Sequence, residues 1–249
     1  MTQKTVIITG GNRGIGLGIT ESFVKAGYSV VVGARKDMNL TEKFGDKIRF
    51  VSVDVRKEAD HRKLAETAIN WTGRLDCYVN NAGFSEWMPI ERIDEEFFDK
   101  LISTNLKSAF WGCKVASGFL KEGGSIINIS SIAGKRGSSN NSLYVASKFG
   151  MNGLTQSLAK ELGPKGIRVN GLCPVLILTE GLMQALEAEY SPAKGNVKQF
   201  LADFTRGNSA LGRMPTSKEV GDMCVFLASE GASAVTGQNI NVDCGVFPQ

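Results

Sequence analysis

Short apolar runs rich in β-branched residues alternate with stretches of helical spacing along this 249-residue sequence. Thr5-Val-Ile-Ile-Thr9 is the first run, closed by Gly10. Runs that are apolar on both faces are what a buried parallel strand requires. Further strands are expected over residues 29–33, 48–53, 75–79, 125–129, 166–172 and 239–242. Helical patterns lie between them: from Leu17 to Ala26, over 58–71, over 94–120, from Tyr144 through Leu154, Leu158 and Leu162, and over 217–227. Neighbouring parallel strands need a crossover, and a helix supplies it. The chain is therefore expected to form an α/β fold, a doubly wound parallel sheet of about seven strands with helices on both faces. No repeat, low-complexity tract or linker interrupts residues 1–249, so one domain is the simplest account. The stretch 176–215 departs from the alternation. It is polar, helical only in pieces, and carries Gly181, Pro192, Gly195, Gly207 and Gly212. Such an insertion between strand and helix reads as a mobile lid over a substrate site.

Composition narrows the function classes. A net charge of +4, with 42% hydrophobic and 22% charged residues, is ordinary for a globular protein. No Lys/Arg-rich run points to nucleic acid, and no stretch approaches the roughly 18 apolar residues of a membrane helix. The first residues lack the apolar core of a secretory signal. Cys77, Cys113, Cys173, Cys224 and Cys244 are odd in number and widely spaced, with no C-x-x-C. Free thiols, mostly buried, in a reducing cytoplasm are expected. The single histidine, His61, sits in a charged helical stretch and is expected to face solvent. With one histidine, neither a histidine-based zinc site nor a Ser/His/Asp triad is expected, and no metal is invoked.

Glycines 10, 14 and 16 lie between the first strand and the first helix, with Asn12, Arg13 and Ile15 among them. That placement gives a tight turn, close backbone approach to a pyrophosphate, and a helix N-terminus whose free N–H groups favour negative charge. The spacing is G-x-x-x-G-x-G, not G-x-G-x-x-G. In this architecture an acidic residue at the end of the second strand would hold the adenosine ribose diol. The strand instead ends Gly33-Ala34-Arg35-Lys36. A basic pair beside the ribose, with Arg13 on the glycine loop, suits a 2′-phosphate, so NADP is favoured and NAD is the alternative. Asp54, at the end of the third strand with Val55 beside it, is expected to accept from the adenine amino group.

Tyr144 and Lys148 are four residues apart on a helix and share a face. A phenol titrates near ~10, and a nearby cation lowers that value. The pair is expected to act as an acid/base near neutral pH.

Taken together, Thr9-Gly-Gly-Asn-Arg-Gly-Ile-Gly16, Asn80-Asn-Ala-Gly83, Asn105, Ser130-Ser131, Tyr144-x-x-x-Lys148 and Pro174 resemble the motifs of the classical short-chain dehydrogenase/reductase family, in its order. The resemblance runs from Thr5 to about Gly245. It implies a single Rossmann-like domain that binds a nicotinamide cofactor and moves hydride between an alcohol and a ketone. It implies that Tyr144 is the acid/base, and that Lys148 lowers its pKa and holds the nicotinamide ribose. Ser131, rather than Ser130, would hydrogen-bond the substrate oxygen, and Asn105 would hold a water in the proton path. Asn80, Ala82 and Gly83 would line the cofactor, with Pro174 beside it. Ile177 and Thr179 would face the carboxamide. Two positions depart from the family's pattern. Val175 follows Pro174 where glycine is usual, and Cys244 stands in Val242-Asp-Cys-Gly245 where glycine is usual.

The substrate pocket is expected from Phe84 to Met88, Lys135 to Asn141, and the lid. Glu86, Ser138, Ser139, Asn140 and Asn141 make it polar on one side, and Trp87 and Met88 supply apolar contact. A sugar or polyol derivative fits that mixture; a 3-oxoacyl group on a carrier protein is the alternative. A non-catalytic dinucleotide-binding sensor is the reading from another class, and loss of Tyr144 or Lys148 would mark it; both are present. The helices over 94–120 and 144–162 carry Phe97, Phe98, Phe110, Trp111, Phe149 and Met151 on more than one face. Faces beyond the one covering the sheet need a partner, and the family commonly pairs these helices, so a homotetramer is expected.

Overall fold

The structure is a computed structural model, and it describes residues 3–248. Seven parallel strands form one sheet in the order β3-β2-β1-β4-β5-β6-β7. They are β1 (Thr5–Thr9), β2 (Ser29–Ala34), β3 (Ile48–Ser52), β4 (Cys77–Asn80), β5 (Ser125–Ile129), β6 (Arg168–Pro174) and β7 (Asn239–Val242). The order turns back between β1 and β4, and at such a switch point a crevice opens beyond the C-terminal ends of the strands. β1, β2, β4 and β5 are buried along their whole length. That is why their sequences are continuously apolar and not alternating.

The helices are α1 (Gly14–Lys25), α2 (Leu40–Phe44), α3 (Glu58–Thr72), α4 (Glu95–Ile102), α5 (Ser108–Phe119), α6 (Ser142–Leu162), α7 (Glu180–Glu187), α8 (Val197–Asn208) and α9 (Ser217–Ala228). Two apolar layers sandwich the sheet. Ile19 and Phe23 of α1 and Val220, Cys224 and Leu227 of α9 pack with Val6, Ile8, Val30 and Val32 on one face. On the other face Leu64, Ala65 and Ala68 of α3, Cys113 and Ala116 of α5, and Ala159 and Leu162 of α6 pack with Ile7, Val31, Tyr78 and Ile126.

The expected single helix over 94–120 is two helices joined by a π-helical turn, Ser103–Lys107. A π-turn inserts one residue into the helical register, which apolar spacing does not reveal. α6 begins two residues before Tyr144, and α2 was not anticipated. His61 is buried, not solvent-facing. It extends the inward stripe of α3 formed by Leu64, Ala65 and Ala68, at helical spacing of three, four and seven. All five cysteines are free, and four are buried. No helix among the described residues is long and apolar enough to cross a membrane.

Cys244 adopts φ +54°, in the left-handed region that favours glycine. A side chain there costs about 1–2 kcal/mol. Cys244→Gly is expected to raise Tm by about 2 °C, the strain relief being partly offset by the freer unfolded chain. A fall in calorimetric Tm would show that the backbone there is not strained.

Candidate active site

The site is built where β1, β4, β5 and β6 end. At the first of these ends, Gly10 and Gly14 take φ of +65° and +54°, and a Cβ on Gly16 would fall 2.0 Å from the Gly10 carbonyl oxygen. Only glycine permits that close fold of the backbone. The loop is stitched down by side chains the sequence reading did not single out. Asn81 Nδ2 donates to the carbonyls of Thr9 and Gly10 at 2.9 and 3.2 Å, and Thr9 Oγ1 accepts from the N–H groups of Asn81 and Ala82. The second asparagine of Asn80-Asn81 was their signal. Thr20 Oγ1 donates to the Gly11 carbonyl at 2.9 Å.

The N-terminus of α1 has no side-chain cap and no acidic residue in its first turn. Its N–H groups and dipole are left for an external anion. Thr179 packs over this loop: a Cβ on Gly14 would lie 3.4 Å from its Cγ2. The cradle, the open helix end and the nearby strand ends fit the diphosphate of a dinucleotide.

At the adenine side, Ala34 ends β2, and Arg13, Arg35 and Lys36 are exposed. Asn12 Nδ2 donates to the Lys36 carbonyl at 2.8 Å and so ties the glycine loop to the basic segment. Asp54 and Val55 follow β3. The Asp54 carboxylate is held by Arg56 at 2.7–3.1 Å, which pulls it down to about 2. It is thus an ionised acceptor with part of its capacity already used.

Three residues expected at this crevice have their side chains engaged elsewhere. Asn80 turns its side chain inward: Nδ2 donates to Asn128 Oδ1 at 2.9 Å and to Cys113 Sγ at 3.4 Å. The strand's alternation sends it to the α5 face, so only its backbone can line the crevice. Ile177 is buried in the core layer that includes Leu172, with Ile15 and Leu17 packed against it, and its side chain is spent there. Asn105, in the π-turn, is fully buried with both ends of its amide on Phe84: Oδ1 accepts from the Phe84 N–H at 3.0 Å and Nδ2 donates to the Phe84 carbonyl at 2.8 Å. Nδ2 also reaches Ser147 Oγ at 3.4 Å. Its side chain anchors the pocket loop.

The reacting group lies between β5, β6 and α6. Ser131, just past β5, accepts from the Ala133 N–H at 3.1 Å and donates to the Pro174 carbonyl at 3.5 Å, and its side chain is near enough to the Tyr144 hydroxyl to lower its pKa. Lys148 Nζ sits 5.6 Å from the centre of the Tyr144 ring and donates to the Ile129 carbonyl at 2.8 Å. Spacing of four on α6 thus brings the two side chains to one face. The electrostatic expectation is corrected. Part of Tyr144 stays exposed, yet burial around its hydroxyl pushes it up to about 12, with Ser131 the only group lowering it. The same burial pushes Lys148 down to about 8. In a site this dry, desolvation outweighs a cation that is not in contact with the phenol oxygen.

Lys148 is therefore a stability switch. Its folded pKa of about 8 lies below the unfolded value of 10.5. Between them the unfolded chain holds more protons, so raising the pH favours the fold. Relative to Lys148→Met, wild-type stability in urea is expected to rise from pH 8 to 10, toward a full gain on the order of 3 kcal/mol. A flat difference across that window would mean that Lys148 is solvated.

The walls of the pocket also come together. Trp87, from the loop after β4, is buried against Leu186 of α7 and Ala193, with Phe200 and Leu201 of α8 packed on the cluster. Asn140 joins two loops: its carbonyl accepts from the Met88 N–H at 2.6 Å, and its Nδ2 donates to the Tyr190 carbonyl at 3.3 Å. Val175 is buried with Ile132 and Val246, against Phe204 of α8 and Met214. The added side chain thus docks the 176–215 stretch onto the loop that carries Ser131. Among the described residues no group of His, Cys, Asp or Glu is arranged to hold a metal ion.

A family model described as enoyl-(acyl carrier protein) reductase matches residues 10–247. The chain is 36% identical to a 3-oxoacyl-[acyl-carrier-protein] reductase FabG of Chlamydia muridarum, over 99% of this chain and 98% of that one. It is 35% identical to an L-2,3-butanediol dehydrogenase of Corynebacterium glutamicum, over 98% and 99%. A solved short-chain dehydrogenase/reductase from Brucella melitensis, titled a glucose/ribitol dehydrogenase, superposes with a TM-score of 0.90 at 30% identity, covering 99% of this chain and 97% of that one.

Proposed function

From the premise that the chain belongs to the classical short-chain dehydrogenase/reductase family, we propose that it interconverts a secondary alcohol and a ketone on a sugar or polyol derivative, with Tyr144 as the proton donor and acceptor. An NAD(P)-dependent oxidoreductase is what the family membership establishes. The substrate, the preference for NADP and the residue roles are the proposal. The observation that carries it is Lys148 Nζ 5.6 Å from the centre of the Tyr144 ring and bonded to the Ile129 carbonyl at the end of β5, where Ser131 follows, beside the glycine crevice.

When bound, the nicotinamide dinucleotide supplies or takes the hydride. The chain's own residues do the rest. Ser131 Oγ and the Tyr144 hydroxyl hold and polarise the carbonyl oxygen, and Tyr144 gives it the proton. A phenol raised by burial to about 12 is protonated at neutral pH and so can donate to the carbonyl oxygen. Lys148 offsets the charge left on the ring and is proposed to hold the nicotinamide ribose. Gly10, Gly14 and Gly16, with Ile15 and the Arg13 N–H side of the loop, would cradle the diphosphate. The backbone from Asn80 to Gly83, Pro174 and Thr179 would flank the nicotinamide half, and Asp54 and Val55 the adenine.

Residues 176–215 are proposed as a lid on a single domain, because α7 and α8 close on Trp87 and Val175. The polar loop over 138–141 and the diol or sugar named for two of the relatives support a polyol substrate. The Chlamydia relative supports the second reading, a 3-oxoacyl group on a carrier protein, equally well. Initial rates over polyols, keto-sugars and 3-oxoacyl thioesters, each with NADPH and NADH or their oxidised forms, decide between them. No turnover on any would remove the catalytic reading in favour of a sensor.

A homotetramer in the cytoplasm completes the proposal. Phe98, Phe110 and Phe149 are each nearly half exposed on α4, α5 and α6, and the five thiols are unpaired. Sedimentation at micromolar concentration is expected to give four copies; a monomer would count against those faces as an interface.

A further inference from the structure

His61 is buried beneath the turn that ends β3, in a place the reaction does not require. Its two ring nitrogens are both engaged. Nε2 lies 2.7 Å from the Val55 carbonyl oxygen, and Nδ1 lies 2.7 Å from the Tyr78 hydroxyl of β4. A carbonyl only accepts, so Nε2 carries the hydrogen. Burial holds the imidazole below its usual pKa and keeps the Tyr78 phenol protonated. The ring is therefore neutral, and the Tyr78 hydroxyl donates to Nδ1. The chain of donors runs one way, from Tyr78 through the imidazole to Val55. One residue earlier on α3, Asp60 Oδ2 accepts from the Asp54 N–H at 2.6 Å. Two successive side chains of one helical turn thus grip two successive residues, the first by its N–H and the next by its carbonyl.

We propose that His61 is a positioning residue for the adenine half of the cofactor, setting the Asp54–Val55 turn through the Nε2–H bond to the Val55 carbonyl, with Tyr78 fixing the tautomer. The proposal rests on the reading of the crevice as a nicotinamide dinucleotide site. It follows from where the turn lies. Asp54 and Val55 leave the C-terminal end of β3, next to the end of β2, on the rim where such crevices bind adenosine. The Asp54 carboxylate is already turned toward Arg56, so its direction toward a ligand depends on how the backbone beneath it is held. Without the Val55 contact the turn is still held at Asp54, whose N–H donates to Asp60 and whose carbonyl accepts from the Lys57 N–H at 3.0 Å, but the Val55 peptide loses its anchor to α3 and the Val55 N–H its fixed aim.

Two near-isosteres separate positioning from packing. The glutamine amide can place a donor where Nε2–H was, and the asparagine amide can place one only where Nδ1 was. In titrations followed by fluorescence, His61→Asn is expected to weaken NADPH binding roughly five- to tenfold, the loss of one buried hydrogen bond. His61→Gln is expected to stay within about twofold of wild type, as one hydrogen bond is kept. Inhibition by adenosine 5′-monophosphate, which carries only the adenine half, is expected to weaken in step with NADPH. The kcat and the KM for the carbonyl substrate should be unmoved. If both variants weaken NADPH equally, or neither does, His61 is packing alone and the proposal falls. Should His61→Asn not fold, Tyr78→Phe takes its place: with Nδ1 free to take the proton, NADPH binding is expected to weaken about two- to threefold, and unchanged binding overturns the proposal. Wild-type protein that binds neither NADPH nor NADH would instead remove the cofactor reading itself, which these variants, compared with a binding wild type, do not touch.

Discussion

Tyr144→Phe is expected to lower kcat by about 10²–10⁴-fold, the range a positioned general acid contributes, while cofactor binding stays within about twofold, since the ring that packs is kept and one hydroxyl is lost. Burial raises the Tyr144 hydroxyl to about 12, so it enters the reaction as a donor and the variant loses that proton outright. Ser131 remains and can still polarise a carbonyl, which leaves a residual rate above water. Lys148→Ala is expected to do different damage. Lys148 Nζ bridges from the ring region to the Ile129 carbonyl, and its proposed contact with the ribose adds a cofactor role. Both kcat and the KM for the cofactor should suffer. Steady-state rates and cofactor titrations separate the two patterns. Turnover by Tyr144→Phe equal to wild type would remove Tyr144 from the chemistry.

The fold was legible because its central strands β1, β2, β4 and β5 are buried on both faces. Thr5–Thr9 and Ser125–Ile129 contain no residue that must see solvent, and glycine or polar residues close them. Strand ends drifted where pairing, not composition, sets them. β6 starts at Arg168 because its ladder with β5 begins there, and the apolar run around it gives no such mark. The π-turn was not legible, since the stretch reads as one continuous helical pattern and no residue type marks the insertion. His61 was legible and was misread. Its neighbours in sequence are charged, but its neighbours in helical spacing are Leu64, Ala65 and Ala68. In the site, a spacing of four on α6 puts Lys148 Nζ 5.6 Å from the Tyr144 ring, as the sequence pattern suggests. Side-chain direction was less accessible: Asn80 and Ile177 belong to the crevice by sequence but aim their side chains into the core. The sign of the Tyr144 shift was beyond reach, because it depends on how dry the hydroxyl is. That follows from loops and a lid whose closure, through Trp87 and Val175, only the folded chain defines.

Ala34→Asp is expected to reverse the cofactor preference proposed here, by about a hundredfold in the ratio of kcat/KM for NADPH over NADH. Ala34 is the last residue of β2 and is nearly buried at the crevice. A carboxylate there would accept from a ribose diol and repel a 2′-phosphate. The present residues favour the phosphate. Arg35 follows at once, and Arg13 stands at the start of α1 on the loop that Asn12 ties to Lys36. A guanidinium can give a phosphate two parallel hydrogen bonds. Each charge-assisted bond is worth about 1.5–3 kcal/mol. Both arginines are exposed, so salt weakens their contribution, and the preference itself should shrink as ionic strength rises. Arg35→Ala separates the cation from the missing acid. It should raise the KM for NADPH and leave that for NADH little changed, because only the phosphate needs the charge. A wild-type kcat/KM already higher with NADH would assign Arg35 to the solvated surface or to a stack on the adenine ring. In that case Ala34→Asp would sharpen an existing preference and reverse nothing.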